Sequence, residues 1–207
     1  MNSQTQRFQL TGPAGAIECL RDEPPEPSRG VAVIAHPHPL FGGTMDNKVV
    51  QTMARAFVQC GWSAVRFNFR GVGATEGVHD DGRGEALDFL AIANSVAPDG
   101  PLAVAGFSFG SFVACAALSS LWPARQSEKI VLVGTATQRF EVPALPADAR
   151  ERALVVHGEQ DDTVALSAVM DWARPQSLPV TVIPGGGHFF HGQLPLLKNL
   201  VVRHLRS

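Results

Sequence analysis

Short apolar runs recur along the chain, separated by stretches in which apolar residues fall at helical spacing. "VAVIAH" (31–36), "SAVRFNF" (63–69), "LAVAG" (102–106), "KIVLVG" (129–134), "ALVVHG" (153–158) and "VTVIP" (180–184) have the length and β-branched content of strands buried on both faces. Between them, Val49, Val50, Met53, Ala54 and Phe57 form one helical stripe, and Ala86, Phe89, Leu90 and Ala93 a second. Phe112, Val113, Ala116 and Ala117 form a third, Leu166, Val169, Met170 and Ala173 a fourth, and Leu197, Leu200, Val201 and Leu205 a last. Gly61 stands where the first helix needs a left-handed cap. Upstream, "RFQL" and "AIECL" flank "TGPAG" and predict a hairpin, and the proline-rich "DEPPEPSRG" (22–30) predicts an extended connector.

Strands that alternate with helices specify an α/β fold: an open, mostly parallel sheet covered on both faces, with its active crevice at the carboxyl ends of the strands. The 207 residues, 45% of them hydrophobic, suffice for one well-buried domain spanning 1–207 and are too few for two. A formal net charge of −2 without any block of like charge gives no footprint for nucleic acid or an anionic membrane. "MNSQTQRFQL" lacks a signal-peptide pattern and no apolar stretch approaches the roughly 20 residues that cross a bilayer, so a cytoplasmic protein is expected. Cys19, Cys60 and Cys115 have no paired spacing and sit in apolar surroundings, as reduced thiols do, so neither a disulfide framework nor a zinc site is expected.

The loops that leave the strands carry the chemistry. In "LAVAGFSFGSFV" (102–113) Ser108 occupies a sharp strand-to-helix turn, where Gly106 and Gly110 let backbones crowd and lift the hydroxyl above the sheet edge. The helix that begins there aims free N–H groups at charge developing beside Ser108. A serine hydroxyl needs a base to take its proton, and the base needs an acid to fix its tautomer. "LVVHGEQDDTV" supplies the acid at a strand end, Asp161 or its neighbour Asp162, and "IPGGGHFFHG" supplies the base, His188, with His191 as its rival. Three glycines before His188 free that loop to reach the serine. The chain order Ser108, Asp161, His188 suits this architecture.

These motifs resemble the α/β-hydrolase superfamily over residues 7 to 205. "GFSFGS" resembles its nucleophile elbow, and "HGEQDDTV" resembles its His-Gly-x-x-Asp-x-x-Val acid segment, which selects Asp161 over Asp162. "HPHPLFGGTMDNKVV" and "FNFRGVGATEG" resemble a group of small, mainly bacterial hydrolases without a lid. The resemblance implies about eight strands and no lid domain, and chemistry carried by Ser108, Asp161 and His188 needs no metal or organic cofactor.

An oxyanion needs two N–H donors. Phe109, the residue after the nucleophile, supplies one, and the loop after "VAVIAH" supplies the other. Pro37 and Pro39 have no amide hydrogen, which leaves His38, by position the first choice, and Leu40. His36 and His38 lack the partners of a metal site and read as loop packing. "FGGTMDN" lacks the ending of a phosphate-binding loop, and its Thr44 or Asp46 should cap the following helix. Arg70 should pair with a nearby carboxylate, and one or two of Phe41, Phe107, Phe109, Phe189 and Phe190 should wall an acyl pocket. The segment between "KIVLVG" and "ALVVHG" is too short for a separate helical lid, which predicts an open site for short or water-soluble acyl groups. Hydrolysis of an ester or thioester is the leading expectation. Acyl transfer or amide cleavage by the same three residues, or a non-catalytic binding module on this scaffold, are the alternatives.

Overall fold

The computed structural model describes residues 5–207. Eight strands form one sheet: β1 (Thr5–Gly12), β2 (Gly15–Asp22), β3 (Val31–Ala35), β4 (Ser63–Phe67), β5 (Leu102–Phe107), β6 (Lys129–Val133), β7 (Ala153–Gly158) and β8 (Val180–Ile183). Their order across the sheet is β1-β2-β4-β3-β5-β6-β7-β8. The hairpin β1–β2 and the β2–β4 pair are antiparallel, and the pairs from β4 through β8 are parallel. The α/β architecture read from the alternation of runs and stripes is therefore the one present.

Among the described residues, five helices of eight residues or more cover the sheet: α1 (Lys48–Gln59), α2 (Arg83–Val96), α3 (Phe109–Leu121), α4 (Leu166–Ala173) and α5 (Leu194–Arg206). The strands are apolar throughout because their side chains alternate between two cores. Val33, Val65, Val104, Leu132 and Val155 pack on one face with Phe89 and Ile92 of α2, Val113 and Leu118 of α3 and Val169 of α4. Ile34, Ala64, Ala105, Val131 and Val156 pack on the other with Val50, Met53 and Phe57 of α1 and Val201 and Leu205 of α5. Gly61 ends α1 with φ 82°, the left-handed value its position demanded.

Some local details depart from the sequence reading. The cap of α1 is Asn47, whose Oδ1 accepts the Val49 N–H at 2.9 Å, and neither Thr44 nor Asp46 fills that place. Asp46 is drawn away to the guanidinium of Arg66 at 3.2 Å, and Thr44 accepts the Asp46 N–H. On α2 the buried face includes Glu85 and Asp88 beside Phe89 and Ala93. Asp88 takes both arms of Arg70 at 2.8 Å, the carboxylate partner expected for that arginine. Cys19, Cys60 and Cys115 are free thiols, and burial pushes Cys19 up to about 12. Between β6 and β7 the chain forms only a short 3-10 turn, Ala147–Arg152, with no lid. No helix among the described residues is long and apolar enough to cross a membrane.

Candidate active site

The crowding at the end of β5 is severe enough to dictate its residues. A methyl group on Gly106 would lie 2.2 Å from the Gly110 carbonyl oxygen, and one on Gly110 would lie 2.4 Å from that of Ala35. Only glycine lets α3 start directly over the ends of β3 and β5. Between them Ser108 is held at φ 57° and ψ −118°, a strained conformation for a residue with a Cβ, and its N–H donates to the Val133 carbonyl at 2.8 Å. The hydroxyl is thereby presented at the sheet edge, with the first turn of α3 behind it.

The acid and base loops are tied to one another before they meet the serine. The Glu159 N–H donates to Ile183 O at 3.0 Å, the Gln160 N–H to Gly186 O at 2.8 Å, and the Gly185 N–H to the Glu159 carboxylate at 2.8 Å. This weld requires Gly158, where a methyl would fall 2.3 Å from Gly186 O. Phe190 anchors the far end of the base loop: its side chain is fully buried and its N–H donates to Gly187 O.

The resulting geometry joins the three sequence candidates. The Ser108 hydroxyl lies 3.0 Å from His188 Nε2, and His188 Nδ1 lies 2.7 Å from Asp161 Oδ2. A carboxylate only accepts, so the Nδ1 position carries the hydrogen and Nε2 offers its lone pair to the serine hydroxyl. Asp161 divides its oxygens between two tasks, because Oδ1 accepts the N–H groups of Thr163 and Val164 at 2.9 and 2.8 Å. Asp161 thus both orients His188 and closes the turn that follows it. Asp162 is exposed and accepts from the Thr163 hydroxyl, and His191 is exposed beside Phe189.

Burial alone would raise the Asp161 carboxyl. The hydrogen bond and charge of His188 and the two N–H groups outweigh it and hold the group below its ordinary value. Sequence reasoning missed His157, the fully buried penultimate residue of β7. Its Nε2–H donates to Val164 O at 2.9 Å and stands 3.5 Å from Asp161 Oδ2, closing the acid loop on itself. Its place in "HGEQD" was the available signal. Gly134, at the end of β6, was also missed: a methyl there would sit 3.3 Å from His188 Cε1.

The two nominated oxyanion donors separate clearly. The Leu40 N–H donates to His38 Nδ1 at 3.2 Å, so it is already engaged. The N–H groups of His38 and Phe109 meet no protein acceptor among the described residues. The His38 ring lies 4.8 Å from the Phe109 ring, 4.8 Å from Phe41 and 4.9 Å from His79. Burial, His79 and Arg139 lower the basicity of His38 against the opposing pull of Glu85 and Asp81. His36 is fully buried, with its Nδ1–H on Pro37 O at 2.6 Å and Nε2 accepting the Phe69 N–H at 3.0 Å. Both nitrogens are used in packing the loop, and burial keeps the ring neutral by lowering it to about 4. Of the five phenylalanines, Phe107, Phe109 and Phe190 are buried, whereas Phe41 and Phe189 are 73% and 43% exposed.

The chain as a whole resembles known proteins. Over its whole length the chain superposes on a Xanthomonas campestris α/β serine hydrolase without a lid, at a TM-score of 0.87 and 32% identity, covering 95% of that chain. It matches an α/β serine hydrolase homologue from Coxiella burnetii at a TM-score of 0.84 and 34% identity, over 97% of each chain. An uncharacterized protein of Rickettsia prowazekii (strain Madrid E) is 38% identical over 109 residues, which are 51% of this chain and 46% of that protein. The chain thus spans less than half the length of that curated relative. No protein-family model matches the chain.

Proposed function

The chain belongs to the α/β-hydrolase superfamily, and on that premise we propose that it is a serine hydrolase cleaving carboxylic esters or thioesters through an acyl-serine intermediate. The observation that carries this reading is the unbroken hydrogen-bond chain from Ser108 through His188 to Asp161, at 3.0 and 2.7 Å.

In the first half-reaction Ser108 Oγ attacks the acyl carbon while its proton passes to His188 Nε2. The imidazolium that forms is stabilised by the Asp161 carboxylate, which keeps the Nδ1 hydrogen bond and its negative charge. The carbonyl oxygen becomes an oxyanion held by the N–H groups of Phe109 and His38. When the tetrahedral adduct collapses, the bond to the alcohol or thiol breaks and His188 gives that group its proton. Water then attacks the acyl-serine and gives its proton to His188, and the carboxylic acid leaves as the proton returns to Ser108. The sum is one acyl bond and one water consumed, one acid and one alcohol or thiol formed.

The missing lid leaves the mouth bordered by Phe41 and Phe189, which supports short or water-soluble acyl groups over triglyceride. Fluorophosphonate labelling tests the nucleophile. The wild-type protein is expected to be labelled and folded Ser108→Ala is not; equal labelling of the two would overturn the assignment.

A further inference from the structure

The turn after β3 is built around one residue. Pro37 and Pro39 flank His38 and donate nothing. The His38 carbonyl accepts both the Phe41 N–H at 3.2 Å and the Gly43 N–H at 3.0 Å, and its side-chain Nδ1 accepts the Leu40 N–H at 3.2 Å. Gly43 is pressed so closely on this turn that a methyl there would fall 2.1 Å from Pro37 O. Of the N–H groups from position 37 to 41, the single one left without a protein acceptor among the described residues is that of His38 itself. The ring that holds the turn also rests 4.8 Å from the ring of Phe109 and 5.9 Å from that of Phe140, and Phe140 packs on Phe109 at 5.1 Å.

From this geometry we infer that the His38 imidazole is a positioning residue: it fixes its own backbone N–H relative to that of Phe109, so that the two converge on one oxyanion. The inference deepens the proposed acyl-serine reading and rests on it. The ring acts through two contacts. Nδ1 closes the turn by accepting from Leu40, and the ring packs the closed turn against Phe109, the first residue of α3. The first requires a neutral imidazole with its hydrogen on Nε2, because a proton on Nδ1 would face the Leu40 N–H donor to donor. The groups around it divide, with His79 and Arg139 opposing that proton and Glu85 and Asp81 favouring it.

Three variants separate the contacts. His38→Phe keeps a ring but loses the acceptor; His38→Asn keeps an acceptor at the reach of an Asx turn; His38→Ala loses both without adding bulk. Steady-state hydrolysis of p-nitrophenyl acetate is the first readout. Loss of one oxyanion donor costs about 100- to 1,000-fold in kcat, and a misplaced donor forfeits part of that. His38→Phe and His38→Ala should therefore lose roughly 30-fold or more in kcat while KM stays within about threefold, and His38→Asn should recover about tenfold of the loss.

Amide hydrogen exchange at Leu40 is the second readout and needs no turnover. Protection should be lost in His38→Phe and His38→Ala and kept in His38→Asn. Unchanged kcat in His38→Ala, a loss confined to KM, or equal Leu40 protection in all four proteins would overturn the inference. If the wild-type protein showed no turnover dependent on Ser108, the acyl-serine reading would fail and this role with it, whereas intact Ser108-dependent turnover with the other results would fail the role of His38 alone.

Discussion

The Cα of Gly158 and the carbonyl oxygen of Gly186 are so close that a single added methyl group would lie 2.3 Å from that oxygen. That contact lets the loop bearing His188 cross the end of β7 and meet the loop that bears Asp161. Gly158→Ala would push backbone against backbone, where no side chain can yield. A loss of about 1–3 kcal/mol in stability is expected, together with a fall in kcat as the two loops part. Gly100→Ala serves as the reference, since Gly100 has φ 84° but open space around it, and only conformational strain of about 1 kcal/mol should follow. Urea denaturation and steady-state rates on both variants check this; a Gly158→Ala protein with wild-type kcat would contradict it.

Ser108 carries backbone strain that glycine would not feel. Ser108→Gly should be more stable than Ser108→Ala by about 1 kcal/mol, although both lack the nucleophile. Thermal unfolding of the pair decides the matter. Equal midpoints would mean that the turn is relaxed.

Asp161 is held below its ordinary carboxyl value, so its folded-state pKa lies under the unfolded one. The stability it contributes is present above about pH 4, the unfolded carboxyl value, and is lost as pH falls through the folded pKa. Asp161→Asn should flatten that acid limb in equilibrium denaturation, and at neutral pH it should cost about 1,000- to 10,000-fold in kcat by disturbing the His188 tautomer. An unaltered acid limb would remove the first expectation.

His36 works over a higher window. Its folded value of about 4 lies below that of an unfolded imidazole, near 6.5, so the unfolded chain binds the proton first. Stability is complete above about pH 6.5 and falls as pH drops toward 4, by on the order of 3 kcal/mol from this residue. Nitrogen-detected NMR should show His36 as the Nδ1–H tautomer down to about pH 5. A His36 ring that titrated near pH 6.5 would refute this.

The open mouth predicts a chain-length profile. Across p-nitrophenyl esters, kcat/KM should be highest for about two to four acyl carbons and decline with longer chains, because no lid covers the added apolar surface. A maximum at the longest chains would count against it.

Much of the fold was legible because strand and helix periods are local properties, and the alternating runs mark both without reference to distant residues. Ser108 could be found for the same reason, since Gly106 and Gly110 stand within two positions of it. Most of what escaped notice depends on partners remote in sequence, and the rest on which atom of a near neighbour is engaged. Gly158 looks like an ordinary glycine until Gly186 is laid across it. Asp46 is a fair helix cap until Arg66 claims it, and Glu85 and Asp88 sit on the inner face of α2 because His79 and Arg70 meet them there. Leu40 is a plausible donor by position, but an imidazole two residues earlier already occupies its N–H. The division of Asp161 between two oxygens is equally invisible to spacing, which treats a carboxylate as one point.

Strand β6 stands between β5, which leads into Ser108, and β7, which leads into the loop of Asp161, and it is followed by Gly134 beneath the His188 ring. Two inter-strand steps span roughly 9–10 Å, and one imidazole with a hydrogen bond at each end fits that gap when nothing rises from the strand below. The lateral spacing of the sheet thus works as a ruler for the relay above it, and any side chain at position 134 larger than hydrogen shortens the available ceiling.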